Sequence, residues 1–411
     1  PRRAAGALSD PAHSVAGMRF LHTSDWHLGR CFHREGLAQA HAAFVDHLVD
    51  TVRSEKVDAV LVAGDVYDRA LPGPDAVEML DDTLNRLVGA GAQVVLSSGN
   101  HDSARRLGFG ARLLTSAGVH VRSDVSAVAD PVMIGDVAVY AVPYLDPAAA
   151  SVTGPLEVDE RSHTAVMTGA MTRIRADREQ RGPASIVLAH CFATGGAASD
   201  SERDITVGGV ANVPLSVFDG VSYVALGHLH GRQQLSETVR YSGSPVAMSF
   251  SEAAHAKGSH LVDIDPATGR TEVTDVAAPV IRRLAVLRGT LEELLSDRRH
   301  TDAEDAWVQV VLTDTIRPLG AMDRLRRRFP GVLSLQFDPQ GTVTPIRTYA
   351  QRVAQRAPLD VCADFLTDVR SGAGPDDAEL GLLGRGLEES RRARAARDDE
   401  GVAVTTAAVS A

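Results

Sequence analysis

The chain has 411 residues, 44% of them hydrophobic and 23% charged, enough for two or three domains with ordinary soluble cores. Its formal charge of −11 excludes a strongly basic module that grips nucleic acid unaided, and no apolar run reaches the roughly 18–20 residues that span a bilayer. Three scattered cysteines, Cys31, Cys191 and Cys362, exclude a disulfide framework and a paired-thiolate metal site; they fit a reducing cytosol, so a cytoplasmic, membrane-free protein is expected.

Residues 1–17 carry Arg2-Arg3 but no apolar stretch, which does not resemble a secretory signal, and they read as a disordered extension. From Met18 onward, short apolar runs each end in a polar cluster. Met18–His22 ends in Thr-Ser-Asp-Trp-His, Val57–Ala63 in Gly-Asp-Val-Tyr-Asp, and Ala92–Leu96 in Ser-Ser-Gly-Asn-His-Asp. Ile186–Ala189 then ends at His190, and Tyr223–Leu226 in Gly-His-Leu-His. Between the early runs, helices are predicted over 37–53 (Phe44, Leu48, Val49 and Val52 on one face) and 75–89 (Val77, Leu80, Leu84 and Leu87). Apolar strands alternating with amphipathic helices predict an α/β domain whose sheet is covered on both faces. Ligands of such sheets gather beyond the carboxyl ends of the strands, where every polar cluster sits.

The character changes near Val276–Val280. A small α+β unit is predicted beyond it, with strands at 284–288, 307–312 and 332–337 and helices near 290–296 and 319–329. After Pro358, Val361, Phe365, Leu366 and Val369 form one helical stripe; Gly372-Ala373-Gly374-Pro375 breaks it, and Leu380, Leu383 and Leu387 begin another. Residues 391–411 read as a disordered tail.

The polar clusters carry ligand-type side chains. Asp25 and His27, at i and i+2, point the same way on an extended segment. Asp65 adds a carboxylate, Asn100 an amide oxygen, His101 and His190 imidazoles, and His228 and His230 repeat the i, i+2 device, with Gly227 giving room to turn. Taken singly these are bland: Asp-x-His arises by chance, Gly-Asp and Gly-Asn mark turns, and a lone His190 is ordinarily a hydrogen-bonded core residue. As an ordered set they form an N and O donor array suited to Mn, Fe, Zn or Mg. Two divalent ions against Asp25 and Asp65 leave surplus positive charge, which a phosphate ester would meet; a pair about 3.5–4 Å apart clamps the oxygens of an in-line displacement.

The series Asp-x-His, Gly-Asp-x-x-Asp, Gly-Asn-His-Asp, lone His and Gly-His-x-His resembles the calcineurin-like metallophosphoesterase superfamily. The strings His22–Arg30, Asp200–Arg203, Ala225–His230, Ser242–Pro245 and Ser249–Glu252 resemble, more selectively, the bacterial SbcD nuclease family, over residues 18–340 and more loosely the tail. The resemblance implies a two-layered β core flanked by helices over 18–280, a capping domain at 281–345, and a helical segment at 358–390 docking on an SbcC-type ATPase. It implies one ion held by Asp25, His27, Asp65 and His230, and another by Asp65, Asn100, His190 and His228, with Asp65 bridging. His101 would act on the leaving oxygen; Asp102 would orient it or cap a turn, and Asp68 would either stand behind the ligands or occupy a surface turn. Arg105 and Arg106 are candidates for DNA contact or for a solvated loop, and the arginines at 324–328 for a solvated face.

The implied activity is exonuclease and endonuclease cleavage of DNA double-strand ends and hairpins in repair, recombination and replication. Mn²⁺ is the expected ion with Mg²⁺ as the alternative, and the nuclease subunit is expected to dimerise within a heterotetramer. An ATPase partner would also reconcile the acidic chain with a DNA substrate. The rival readings are another phosphodiesterase or a phosphomonoesterase with a small substrate, and a non-catalytic scaffold. A small-molecule esterase needs neither capping unit nor docking tail, and a scaffold would be expected to have lost ligands.

Overall fold

In a computed structural model, residues 17–150, 156, 158–205, 212–339, 357–370 and 372–402 are described. The chain forms two units, Pro1–Leu284 and Ala285–Ala411. The extension expected at the amino end lies, but for Gly17, outside the described residues.

The first unit holds two six-stranded sheets. One contains β1 (Met18–Thr23), β2 (Ala59–Ala63), β3 (Gln93–Ser97) and β4 (Val119–Arg122). The other contains β5 (Val132–Ile134), β6 (Val137–Ala141), β7 (Ser185–His190), β8 (Tyr223–Gly227), β9 (Gln233–Gln234) and β10 (Val239–Tyr241). The chain then returns to the first sheet as β11 (Gly258–Ile264) and β12 (Thr271–Ala277). The orders are β12-β11-β1-β2-β3-β4 and β9-β10-β8-β7-β6-β5.

Alternation along the strands explains the layering. In β2, Ala59 and Leu61 face a core shared by both sheets, while Val60 and Val62 face a second core. In β8, Tyr223 and Ala225 enter the shared core, while Val224 and Leu226 enter a third. A strand buried on both faces needs no polar alternation, hence the continuous apolar runs. The second core is closed by α1 (Ala38–Glu55) and α2 (Pro74–Gly89), and the third by α3 (His163–Arg178), giving two β layers between helical layers. Val77, expected on the apolar face of α2, is instead 46% exposed; Ala76, Leu80, Thr83 and Leu87 are the buried positions. The sheets are also mixed, because β11 pairs antiparallel with β1 and with β12. His22, inside β1, is buried between the sheets against the Tyr223 hydroxyl (2.9 Å) and the Leu226 carbonyl (3.2 Å), a satisfied core histidine.

The second unit has its own core. Strands β13 (Leu284–Gly289), β14 (Trp307–Leu312) and β15 (Val332–Phe337) form one sheet, packed with α4 (Leu291–Ser296) and α5 (Ala321–Arg328) around Leu294, Val308, Val310, Leu325 and Phe329. A capping box starts α4: the Thr290 hydroxyl accepts the Glu293 N–H and the Glu293 carboxylate accepts the Thr290 N–H. Farther on, α6 (Pro358–Val369) and α7 (Asp377–Val402) are joined by a bidentate Arg370–Glu379 pair at 2.7 and 2.8 Å. Helix α6 has no fully buried side chain, and Phe365, Val369 and Leu382 are exposed. Residues 391–402, expected to be disordered, continue α7, since Ala, Arg and Glu there are good helix formers; residues 403–411 lie outside the described residues.

Candidate metal centre

Four loops and one strand end meet beyond the carboxyl ends of β1, β2, β3, β7 and β8. The loop after β1 keeps pairing with the loop after β2: the Asp25 N–H donates to the Gly64 carbonyl (3.1 Å), His27 to Asp65 (3.0 Å) and Leu28 to Val66 (2.9 Å). Buried Trp26 anchors it by packing on Phe44 and donating to the Thr23 hydroxyl. Contrary to the i, i+2 expectation, the segment is not extended. Asp25 and His27 have φ of 53° and 46°, and Asp65 and His228 have 49° and 105°. Such backbone costs about 1–3 kcal/mol per residue and persists where the surroundings over-determine it, commonly at functional sites. Gly227 likewise serves another purpose than turning: it ends β8 so close to β2 that a Cβ would lie 1.8 Å from the Ala63 carbonyl oxygen.

The structure brings all seven expected ligand residues together. The Nε2 atoms of His27 and His230 face each other at 3.1 Å, and His27 Nε2 is 3.6 Å from Asp65 Oδ2. Asp25 completes a group with His27 and His230, and another with Asp65 and His190. On the far side of Asp65, His190 Nε2 is 3.4 Å from Asp65 Oδ2 and 2.9 Å from Asn100 Oδ1, which is 3.2 Å from His228 Nδ1. Two imidazole nitrogens 3.1 Å apart can share only one hydrogen, and the Asn100 amide oxygen lies between two more ring nitrogens. A divalent cation satisfies both, so the residues fit the metals the donor set implied.

The electrostatics differ from donor to donor. Burial would raise the Asp65 carboxyl, but His190, His27 and His101 hold it well below the usual carboxylate range. Burial pushes His27 well below its ordinary value and His228 down to about 3, keeping both rings neutral as ligands require. Burial opposes charge on His190, yet Asp65 and Asp25 raise it to about 9. Burial pushes the Asp25 carboxyl up to about 6.

Neighbours fix the rings. His190 Nδ1 donates to the Ala63 carbonyl at 2.9 Å, which turns Nε2 inward. His27 Nδ1 lies 3.7 Å from Asp68 Oδ1, and Asp68 is held by Arg30 at 2.8 Å. Asp68 therefore stands behind His27 and is not a surface turn residue, and Arg30 supports it, a role the sequence did not suggest. His101 is buried, its Nδ1 donating to the Asp68 carbonyl (2.9 Å) and its Nε2 3.9 Å from Asp65 Oδ2. That carbonyl, not Asp102, orients the ring. The Asp102 carboxylate turns back to accept the N–H groups of Val66 (3.1 Å), Tyr67 (2.9 Å) and Gly99 (2.9 Å), so of its two expected roles the structure supports the turn-binding one. Arg106 donates to the Ala70 carbonyl at 3.0 Å and joins two loops, while Arg105 is exposed.

Among the described residues no helix is long and apolar enough to cross a membrane, and all three cysteines are free. The family model for calcineurin-like phosphoesterases matches residues 18–232, just over half of the chain. A second model, SbcD_C, described as the type 5 capsule protein repressor C-terminal domain, matches residues 280–370. Among solved structures, TT1561 of Thermus thermophilus is 15% identical with a TM-score of 0.36, covering 63% of this chain and 99% of its own. A dimetal phosphatase from Danio rerio is 15% identical with a TM-score of 0.39, covering 63% and 96%.

Proposed function

We propose that this chain, which belongs to the calcineurin-like phosphoesterase family and is thereby a metal-dependent hydrolase, is the DNA nuclease subunit of an SbcCD-type complex. One observation carries the reading: a complete set of seven donors occurs in the same chain as a second unit that resembles the SbcD carboxyl-terminal domain.

Asp25, His27 and His230 would hold one ion, Asn100, His190 and His228 the other, with Asp65 shared. Bound there, two divalent ions, Mn²⁺ before Mg²⁺, would supply Lewis acidity and the positive charge that attracts a phosphodiester. The chain's own residues do the rest. The loops fix the donors, and a carbonyl on His101 Nδ1 forces a hydrogen there. Nε2, once protonated, is then the atom that would give a proton to the leaving oxygen. Burial lowers the proton affinity of that ring, and an incoming phosphate would restore it.

The same proposal assigns the capping role to residues 281–345. Residues 358–390, which are α6 and the first part of α7 and leave Phe365, Val369 and Leu382 exposed, would dock on the ATPase subunit in a heterotetramer with two nuclease chains. That partner would supply the DNA affinity a chain of charge −11 lacks. The test is incubation of the purified chain with Mn²⁺ or Mg²⁺ on labelled duplex, hairpin and single-stranded DNA, beside a small phosphodiester and a phosphomonoester. Mn²⁺-dependent DNA cleavage is expected; turnover of the small esters alone would make it a small-substrate member of the family.

A further inference from the structure

Behind His230 lies a buried charged chain that the metal assignment does not use. His230 Nδ1 is 2.6 Å from the Ser201 hydroxyl, and that hydroxyl donates to Glu252. Glu252 pairs through its other oxygen with the Lys257 ammonium. Lys257 also donates to the Ser244 hydroxyl (2.8 Å) and to the His230 carbonyl (2.9 Å), and Glu202 accepts the His230 N–H at 2.7 Å. Glu252 is 1% exposed and Lys257 7%.

Hydrogen counting sets the direction of this chain. An ammonium only donates, so the paired Glu252 is an acceptor. The Ser201 hydrogen goes to Glu252, which leaves the Ser201 oxygen to accept from His230. The His230 proton therefore sits on Nδ1, and Nε2, the atom facing His27, presents a lone pair.

We propose that Glu252, Ser201 and Lys257 are positioning residues that fix His230 in the Nδ1–H form and so set the affinity of one side of the centre for its divalent ion. This rests on the reading of His230 as a ligand. The segment that carries Glu252 and Lys257 also reaches Asp25 on the same side: Ser242 contacts the Ser24 hydroxyl (2.9 Å), which donates to Asp25 (2.6 Å). By contrast, His190 on the other side is oriented by a backbone carbonyl.

The test uses the full chain and the variants Ser201→Ala and Glu252→Gln. Glu252→Gln leaves a buried ammonium without its counter-charge. Ser201→Ala keeps the ion pair, and so serves if Glu252→Gln does not fold. Imidazole nitrogen NMR of the metal-free chain reads the tautomer, and Mn²⁺ calorimetry reads each site. Wild type should show His230 as Nδ1–H. The variants should shift it, and weaken one Mn²⁺ site about 10–100-fold while the other changes little, the usual effect of losing a group that orients a metal ligand. An unchanged tautomer and affinity, or equal weakening of both sites, overturns the proposal while wild-type binding stands. A wild-type chain that takes up no Mn²⁺ overturns the ligand reading itself, and the proposal with it.

Discussion

The side of the centre made by Asp25, His27 and His230 and the side made by Asn100, His190 and His228 meet at Asp65, but they are held by different means. On the first side, side chains stand behind each donor: Arg30 and Asp68 behind His27, Ser201 and Glu252 behind His230, and Ser24 behind Asp25, whose carboxylate also accepts the His228 N–H. On the second side, His190 leans on the Ala63 carbonyl at the end of a buried strand. Side-chain support can be altered one residue at a time, so the first side should be adjustable by substitution. Backbone support comes with the fold, so His190 should resist such tuning.

His101 belongs to neither side and gives the largest expected effect. His101→Ala should keep both ions and DNA binding while the cleavage rate falls roughly 10²–10⁴-fold, the range for a positioned acid or base. Metal lost together with activity, by elemental analysis, would make His101 a ligand and redraw both sides. Asp102→Ala comes next and should act through folding. It strands three backbone N–H groups at about 1–3 kcal/mol for each one left buried and unsatisfied, which lowers the melting temperature of the metal-free chain. A rate loss without a change in melting temperature would restore the orienting role. Asp68→Asn sharpens the contrast between the sides. It should weaken Mn²⁺ binding on the His27 side about 10-fold and leave the other, as two-site calorimetry would show; equal weakening would erase the distinction. The smallest expected effect on catalysis comes from truncation after Ala357. Mn²⁺-dependent cleavage should persist while co-purification with the ATPase subunit is lost. Retained co-purification would place docking elsewhere, and an insoluble product would assign α6 and α7 to the core.

Much of this arrangement was legible because β strands and ligand chemistry are local signals. Runs such as Ala59–Ala63 announce themselves by apolar continuity, and the donors sit immediately after them. Strands β13 to β15 and helices α4 and α5 of the second unit fall within a residue or two of their predicted bounds for the same reason. What stayed hidden depends on long-range geometry. The left-handed backbone at Asp25 and His27 is imposed by pairing with the loop after β2, and nothing within the tripeptide encodes it. Asp102 sits beside His101 in sequence but turns away toward N–H groups of Val66 and Tyr67, more than thirty residues distant. Glu252 and Lys257 lie more than twenty residues past His230, with no ligand spacing to mark them. For Glu252 the sequence signal was that Asp200–Arg203 and Ser249–Glu252 carried the family resemblance; in the fold these strings converge behind His230.

If Asp65 serves both sides at once, the Mn²⁺ content of Asp65→Ala shows it most directly when measured beside wild type, Asp25→Ala and His190→Ala. Wild type should hold two ions per chain, each one-sided variant should lose chiefly one, and Asp65→Ala should retain less metal than either. Near-normal occupancy of both sites in Asp65→Ala would contradict the bridge and the two-sided centre built on it.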